Sequence, residues 1–368
     1  MQTRTPMQTR TPPVGHDSRA MSDALRRVTP VVRLAPAKLN LTLAIVGRRE
    51  DGFHGLHSVM APLGLADRLA LAPAFAPGDR LHVTGTGTSG LGPLDRNLVV
   101  RAIGAARAAC RAQGVDVPLP AIAARLDKWI PVAAGLGGGS SDAAAALRGA
   151  LEAWGVEEAV APADLADVAA RLGSDVPFFL AGGWAIVEGR GERVMPVAAP
   201  RGPAPAVLLV TPGLEVSTAA VFAAYASGIR PGHGAALASS RHLAGELAAG
   251  ITAARFAERA GILAVANDLA PATAAVVPGL GPFRRALGRL VGRPVGQSGS
   301  GPTLWVLYPS VDAAEAAVTR VREALVAGDL RAPGERPPLV AAVRILGGDQ
   351  GVSTALGRPA EVNDQGGA

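Results

Sequence analysis

The segment Pro131–Gly149, PVAAGLGGGSSDAAAALRG, sets a glycine cluster and two serines directly ahead of an alanine-rich run. Gly135, Gly137, Gly138 and Gly139 remove side chains where a backbone must approach something closely or take positive φ. Ser140, Ser141 and Asp142 fall where a helix start wants capping oxygens, and Ala143–Leu147 are helix formers. The exposed N–H groups and dipole of a helix start attract anions, phosphate above all. A phosphorylated ligand is therefore expected at this loop.

The better-known phosphate loops do not fit. A P-loop needs the lysine of GxxxxGK[ST], and no lysine follows Lys128. The dinucleotide pattern GxGxxG fails because Ser140 stands where its last glycine belongs. The companions of a protein-kinase glycine loop, HRD and DFG, are absent.

Four other places carry chemistry. Lys38 lies within the apolar stretch APAKLNLTLAIV, where a buried ammonium needs a carboxylate or phosphate partner. Taken alone it reads as a lysine snorkelling from an edge strand. Phe53 and His54 follow Asp51-Gly52 in a turn, where an aromatic ring and an imidazole can meet a ligand. Asp175, in GSDVPFFLAGG, reads by itself as a turn or cap aspartate. Ser298–Gly301 is a second glycine-serine turn, either an ordinary hairpin turn or a loop closing over the first.

Elements that would position these residues follow from periodicity. Val31–Val46 reads as a strand pair around Lys38, with further strands at Arg68–Ala72 and His82–Thr84. Asn97 caps a helix over Asn97–Gln113, and Ala121–Trp129 is a strand delivering the chain to the glycine loop. Ala163–Leu172 is helical, Gly173–Gly183 a loop, and Trp184–Val197 a hairpin. The Pro/Gly-rich stretch Ala198–Ala206 marks a boundary. Beyond it come a buried strand at Ala206–Thr211, several helices, the helix Val311–Ala327 and a last strand at Leu339–Leu346. That ending suggests an α+β sandwich.

The whole chain has 368 residues, 49% of them hydrophobic, enough for a substantial core in two or three domains. Its net charge is +6, but residues 1–30 hold five Arg against two Asp, so half the excess sits there. The remainder is too dispersed for a nucleic-acid surface. One cysteine, Cys110, excludes an intrachain disulfide and reads as a packed thiol on a helix face. No apolar run approaches the roughly 18 residues of a membrane span, and no signal peptide is evident. A cytoplasmic location is expected. The duplication MQTRTPMQTRTP opens a segment, 1–30, expected to be disordered, with Met21 as the true start. The tail 348–368 is polar and expected to be loose.

Together APAKLNL, PVAAGLGGGSSDAAAAL, GSDVPFFL and SGSGPT, in that order from Arg33 to about Leu346, resemble the GHMP small-molecule kinases. With GRREDGFH and NLVVRA they look most like the branch that phosphorylates 4-diphosphocytidyl-2-C-methyl-D-erythritol. The resemblance implies an α+β, two-domain GHMP kinase fold. Its N-terminal half (31–198) would be like domain 2 of ribosomal protein S5, and its C-terminal half (199–347) a ferredoxin-like α/β sandwich. It further implies ATP and Mg²⁺, a small-molecule substrate, no nucleic acid or membrane partner, and a monomer or weak homodimer. No dedicated protein metal site is expected.

Carried over by position, Asp175 matches the catalytic aspartate and Lys38 the lysine beside it. Asn97, Lys128, Pro131, Ala134, Gly135, Leu136, Gly137, Gly138, Gly139, Ser140 and Ser141 match the ATP site. Asn40, Phe53, His54, Thr218 and Phe222 match the cytidine and methylerythritol site. In that reading Asp175 takes the hydroxyl proton while Lys38 keeps it ionised and stabilises transferring charge. Phe53 stands where the family often has Tyr, and Gln297 where Met is common; no consequence is expected of the latter. Another GHMP kinase, of the homoserine or mevalonate type, is the nearest alternative. An RNA-binding protein is a remote one, and the broken fingerprint sets a nicotinamide dehydrogenase further off still.

Overall fold

A computed structural model describes residues 29–50, 52–88, 93, 96–228 and 234–347. The expectations for the opening segment before Thr29 and for the tail after Gly347 lie outside the described residues.

The alternating segment after Pro30 forms β1 (Val31–Asn40), and the chain continues into β2 (Ala44–Arg48). Next comes β3 (His54–Ala74), a strand of 21 residues. It is followed by β4 (Arg80–Thr84), α1 (Leu98–Ala112), β5 (Ala121–Asp127) and α2 (Gly138–Trp154). Then come α3 (Pro162–Leu172), α4 (Val176–Ala181), β6 (Trp184–Gly189) and β7 (Arg193–Val197). These strands make one sheet in the order β4-β5-β3-β6-β7, with β1 and β2 also paired to β3. Every pairing is antiparallel except β4 with β5. The register shifts between Pro36 and Lys38 where β1 crosses Pro62 of β3.

Helix α1 buries Val99, Ala102, Ile103, Ala106 and Cys110, the three-to-four spacing of one helical face. Those residues pack with Leu147 and Leu151 of α2 against Leu69, Leu71, Ile122 and Leu126 of the sheet. Cys110 is thus a core thiol, and burial pushes its pKa up.

The chain crosses to a second sheet between Val197 and Ala206. Its elements are β8 (Ala206–Gly213), α5 (Thr218–Ala226), α6 (Ala235–Ala248), α7 (Ala253–Ala257) and α8 (Ala260–Val265). They continue with α9 (Ala270–Val276), α10 (Leu280–Val291), β9 (Gly296–Gln297), β10 (Leu304–Tyr308), α11 (Val311–Ala327) and β11 (Arg336–Arg344). The strand order is β11-β8-β10-β9, antiparallel throughout. Because both faces are covered, β8 is buried along nearly its whole length. Leu208 and Val210 face Leu287 and Val321, while Val207 and Leu209 join Leu39, Leu63 and Trp184 of the first sheet.

Two expectations need correcting. Gly173–Gly183 is no simple loop but contains α4, for which Pro177 is pre-set in the first turn and Gly182, at φ 73°, supplies the stop. The separate turn at Phe53-His54 and strand at Arg68–Ala72 belong to one arm, since His54 already opens β3. Pro62 and Pro73 disguise that strand, because proline ordinarily punctuates one.

Trp184 links the sheets. It is 1% exposed, its indole N–H donates to Leu346 O at 2.8 Å, and Phe256 packs edge-on at 5.4 Å. Trp184→Ala is expected to cost about 3–5 kcal/mol of folding stability, measurable as a lower urea midpoint; a loss under about 1 kcal/mol would show that the two sheets are joined elsewhere.

Candidate active site

The glycine loop leaves β5, and α2 starts at Gly138, two residues before the first serine. Ser140 and Ser141 therefore lie inside the first turn, and no side chain caps the helix. That corrects the capping expectation. The first N–H groups of α2 have no intrahelical acceptor, which leaves them for a ligand.

Two glycines are demanded by geometry. Gly135 has φ 77°, and a Cβ there would lie 2.4 Å from Ser298 O. Gly137 has φ 71°, and a Cβ would meet Phe179 at 2.9 Å and Lys38 Cγ at 3.0 Å. The second glycine-serine turn is thus a buried partner of the first. Ser298 Oγ donates to Gly135 O at 2.9 Å and accepts from Asn40 N at 3.3 Å. Asn267 fastens it from behind, donating to Gln297 O and Gly299 O at 3.0 and 2.9 Å. Gln297 does have a consequence: its amide donates to Thr273 Oγ1 at 2.8 Å, beneath the same turn.

Beside the loop, Lys38 is 4% exposed and its backbone N–H donates to Leu136 O at 2.9 Å. Its ammonium hydrogen-bonds Asn40 Oδ1 and lies 3.7 Å from Asp175 Oδ2. Burial pulls the Lys38 pKa down, and the Asp175 carboxylate opposes that pull. Asp175 occupies the N-cap position of α4 but makes no capping hydrogen bond. Its side chain is turned to Lys38, contrary to the cap reading.

Lys128, 2% exposed, is held differently. Its ammonium donates to Asp67 at 2.5 Å and to Asp142 at 2.8 Å. Asp67 also accepts the N–H groups of Trp129 (2.5 Å) and Ile130 (2.9 Å). Asp142 has less support, since its Oδ1 is buried without a partner. Burial pushes the Asp142 carboxyl up to about 8, with Lys128 opposing and the Asp67 charge adding to the rise. Two carboxylates sharing one ammonium thus retain a proton on Asp142. This ion cluster underlies the glycine loop.

A cavity of about 950 Å³ collects these groups. At one end lie Asn97, whose Oδ1 caps α1 by accepting from Val99 N at 2.9 Å, with Pro131 and Ala134. In the middle stand Gly135, Gly137, Gly138, Gly139 and Ser140, facing Lys38 and Asp175. Asn40, beside Lys38, and Phe53, His54, Thr218 and Phe222 line the same cavity. The rings of His54 and Phe222 stack at 5.4 Å, and the Thr218 hydroxyl meets Ser300 Oγ at 3.0 Å.

Two expected residues lie off this lining. Leu136 is core, and Ser141 lines a separate cavity. The cavity also includes Arg48 and Arg190, which sequence reasoning did not select; the Arg190 guanidinium lies 5.5 Å from the Phe53 ring centre. Asp67, a lone carboxylate in the apolar run LGLADRLAL, was signalled by the same logic as Lys38. Among the described residues, no group of three acidic, His or Cys side chains could hold a metal ion.

An uncapped helix start beside a buried lysine and a partly exposed aspartate, at a cavity between two packed sheets, is the set of groups a small-molecule kinase needs. The GHMP kinases N terminal domain matches residues 97–183. A protein of Pelotomaculum thermopropionicum called 4-diphosphocytidyl-2-C-methyl-D-erythritol kinase is 38% identical over 295 residues, covering 79% of this chain and 94% of that one. A crystal structure of 4-(cytidine 5'-diphospho)-2C-methyl-D-erythritol kinase superposes with TM-score 0.59 at 34% identity, over 85% of this chain and 99% of that one. A homoserine kinase from Cytophaga hutchinsonii shares the fold at TM-score 0.60 and 18% identity, over 88% and 96%. The chain belongs to the 4-diphosphocytidyl-2-C-methyl-D-erythritol kinase family of GHMP kinases, with the expected α+β fold. No helix among the described residues is long and apolar enough to cross a membrane.

The Asp142 proton makes stability depend on pH with a definite sign. The unfolded carboxyl loses its proton near pH 4 and the folded one only near pH 8. Between those values the folded state binds more protons, so stability falls as pH rises. Asp142→Asn keeps the neutral shape and is expected to flatten that decline, whereas Asp67→Asn should destabilise at every pH. Urea titrations from pH 5 to 8 test this; an equally steep decline in Asp142→Asn would remove the proton from that site.

Proposed function

We propose that this chain transfers the γ-phosphoryl group of ATP to the C2 hydroxyl of 4-diphosphocytidyl-2-C-methyl-D-erythritol, giving the 2-phosphate and ADP in the non-mevalonate route to isoprenoid precursors. The observation that carries the reading is the Lys38–Asp175 pair at 3.7 Å, facing the free helix start of α2 across one cavity. The family membership supplies the substrate class.

In this reading the ATP phosphates lie along Gly135–Ser140, with the base and ribose toward Asn97, Pro131 and Ala134. Lys128 also lines the cavity, but its ammonium is already engaged by Asp67 and Asp142, so it supports the loop from beneath. The cytidyl part lies among Asn40, Phe53, His54, Thr218 and Phe222. The His54 ring covers one face of Phe222 and the Arg190 guanidinium lies over Phe53, so each ring can offer its other face for stacking. Residues 31–198 and 199–347 act as the two walls of the cleft.

The substrate hydroxyl oxygen forms the new O–P bond as the β–γ bridging P–O bond of ATP breaks. Asp175 receives the hydroxyl proton. Lys38, held in a dry site, stabilises charge on the attacking oxygen and on the transferred group. Transition states for this transfer are loose, so positioning contributes more than base strength. Mg²⁺, which fits here as an ion brought in on phosphate oxygens and water with the Ser140 hydroxyl and Asp175 carboxylate within the cavity, would neutralise phosphate charge.

Incubating the pure protein with ATP and the cytidyl substrate should release ADP, and homoserine or mevalonate should not. No ADP from the cytidyl substrate would overturn the assignment. Asp175→Asn and Lys38→Met are each expected to lower kcat by about 10²–10⁴-fold with little change in the KM for ATP. A near-normal kcat in Asp175→Asn would remove its role as proton acceptor.

A further inference from the structure

Ser141 was expected at the ATP phosphates, but it lines another cavity, of about 220 Å³, on a different face of α2. Its walls include Arg33 and Pro36 of β1, Ser141 and Arg148 of α2, and Phe179 of α4. The Ser141 hydroxyl is 1% exposed and has no hydrogen-bond partner. A buried hydroxyl in that state costs free energy unless something meets it.

Cations face the same space. Arg148 donates one guanidinium edge to Leu180 O at 2.7 Å. Arg33 donates through one terminal nitrogen to Glu152 at 2.5 Å, while its Nε is buried without a partner. Each guanidinium carries five N–H donors, so both keep donors in hand. The two stand close enough for Arg33 to lower the Arg148 pKa, after burial. Like charges gathered at a cavity, with Glu152 engaging only one of them, invite an anion. Most of the remaining wall is apolar.

We propose that this cavity binds a compact phosphate or diphosphate anion between Arg33 and Arg148, with Ser141 as a third donor. Paired guanidiniums match the oxygens of phosphate in geometry as well as charge. The volume, under a quarter of the 950 Å³ of the main cavity, admits an inorganic anion and not a nucleotide. The site does not depend on which alcohol the kinase phosphorylates. Its walls are shared with the reaction site: Phe179 is the ring against which Gly137 packs, and Ser141 directly follows Ser140.

The test is calorimetric titration of the full chain with pyrophosphate, and separately with orthophosphate, while a non-hydrolysable ATP analogue saturates the main cavity. Saturable binding is expected, and the tighter of the two ions identifies the form the site takes. Arg148→Met and Arg33→Met should each weaken it by about tenfold or more, the loss of one charge-assisted contact. Arg148→Lys should restore part of the affinity, and kcat should stay within about twofold of wild type in all three, since none touches the reacting atoms. Should Arg33→Met fail to fold, the more exposed Arg148 carries the test. No saturable heat with the analogue bound, or equal affinity in wild type and both Met variants, would overturn the site.

Discussion

An ammonium taken out of water costs several kcal/mol unless oxygens surround it. The sequence contains only two lysines, Lys38 and Lys128, and both are buried, at 4% and 2% exposure. Everything else at the site is arranged to meet those two groups. Around the Lys38 ammonium stand Asn40 and Asp175; around that of Lys128 stand Asp67 and Asp142. The other cations are arginines, whose delocalised charge suits surface pairs and bidentate contacts. A compact point charge is retained only at these two buried positions.

The two lysines answer to different demands. Lys128 has its charge matched by Asp67 on β3 and donates also to Asp142 on α2, so it ties the glycine loop to the sheet behind it. Lys38 has an incomplete set, a neutral amide and a carboxylate 3.7 Å away on the rim of the cavity. Its shortage of anionic partners faces the cavity. In the proposed reaction that shortage is met as charge develops on the transferring group, so the buried ammonium acts on the transition state more than on the bound nucleotide.

Much of this was legible in the residues. The glycine cluster signalled a tight turn into a helix, a lysine in an apolar strand demanded a partner, and Val311–Ala327 coincides with α11 to the residue. Asp175 was not separable from an ordinary turn aspartate by its neighbours alone, because its meaning lies 137 positions away on β1. The length of β3 was hidden by prolines, since strand continuity there depends on partners and not on propensity. Arg48 and Arg190 were lost among many surface arginines. Gln297, dismissed in sequence, proved to be a structural donor because its role requires Thr273, on a helix the local sequence does not reveal.

The glycine loop itself changes meaning once its surroundings are known. A glycine-rich phosphate loop suggests that side chains are absent to make room for the ligand. Here the space that a Cβ would need at Gly135 is filled by Ser298 and Gly301, and at Gly137 by Phe179 and Lys38. The missing side chains let the protein pack against its own loop. That packing sets the positive φ values and fixes the direction of the N–H groups opening α2. Pre-organised donors lose little on meeting a ligand, whereas a loop freed merely to make space would have to be ordered at each turnover. The glycines therefore clamp the loop backbone between the second glycine-serine turn and the strand bearing Lys38, and in the proposed function their effect on a phosphate is indirect.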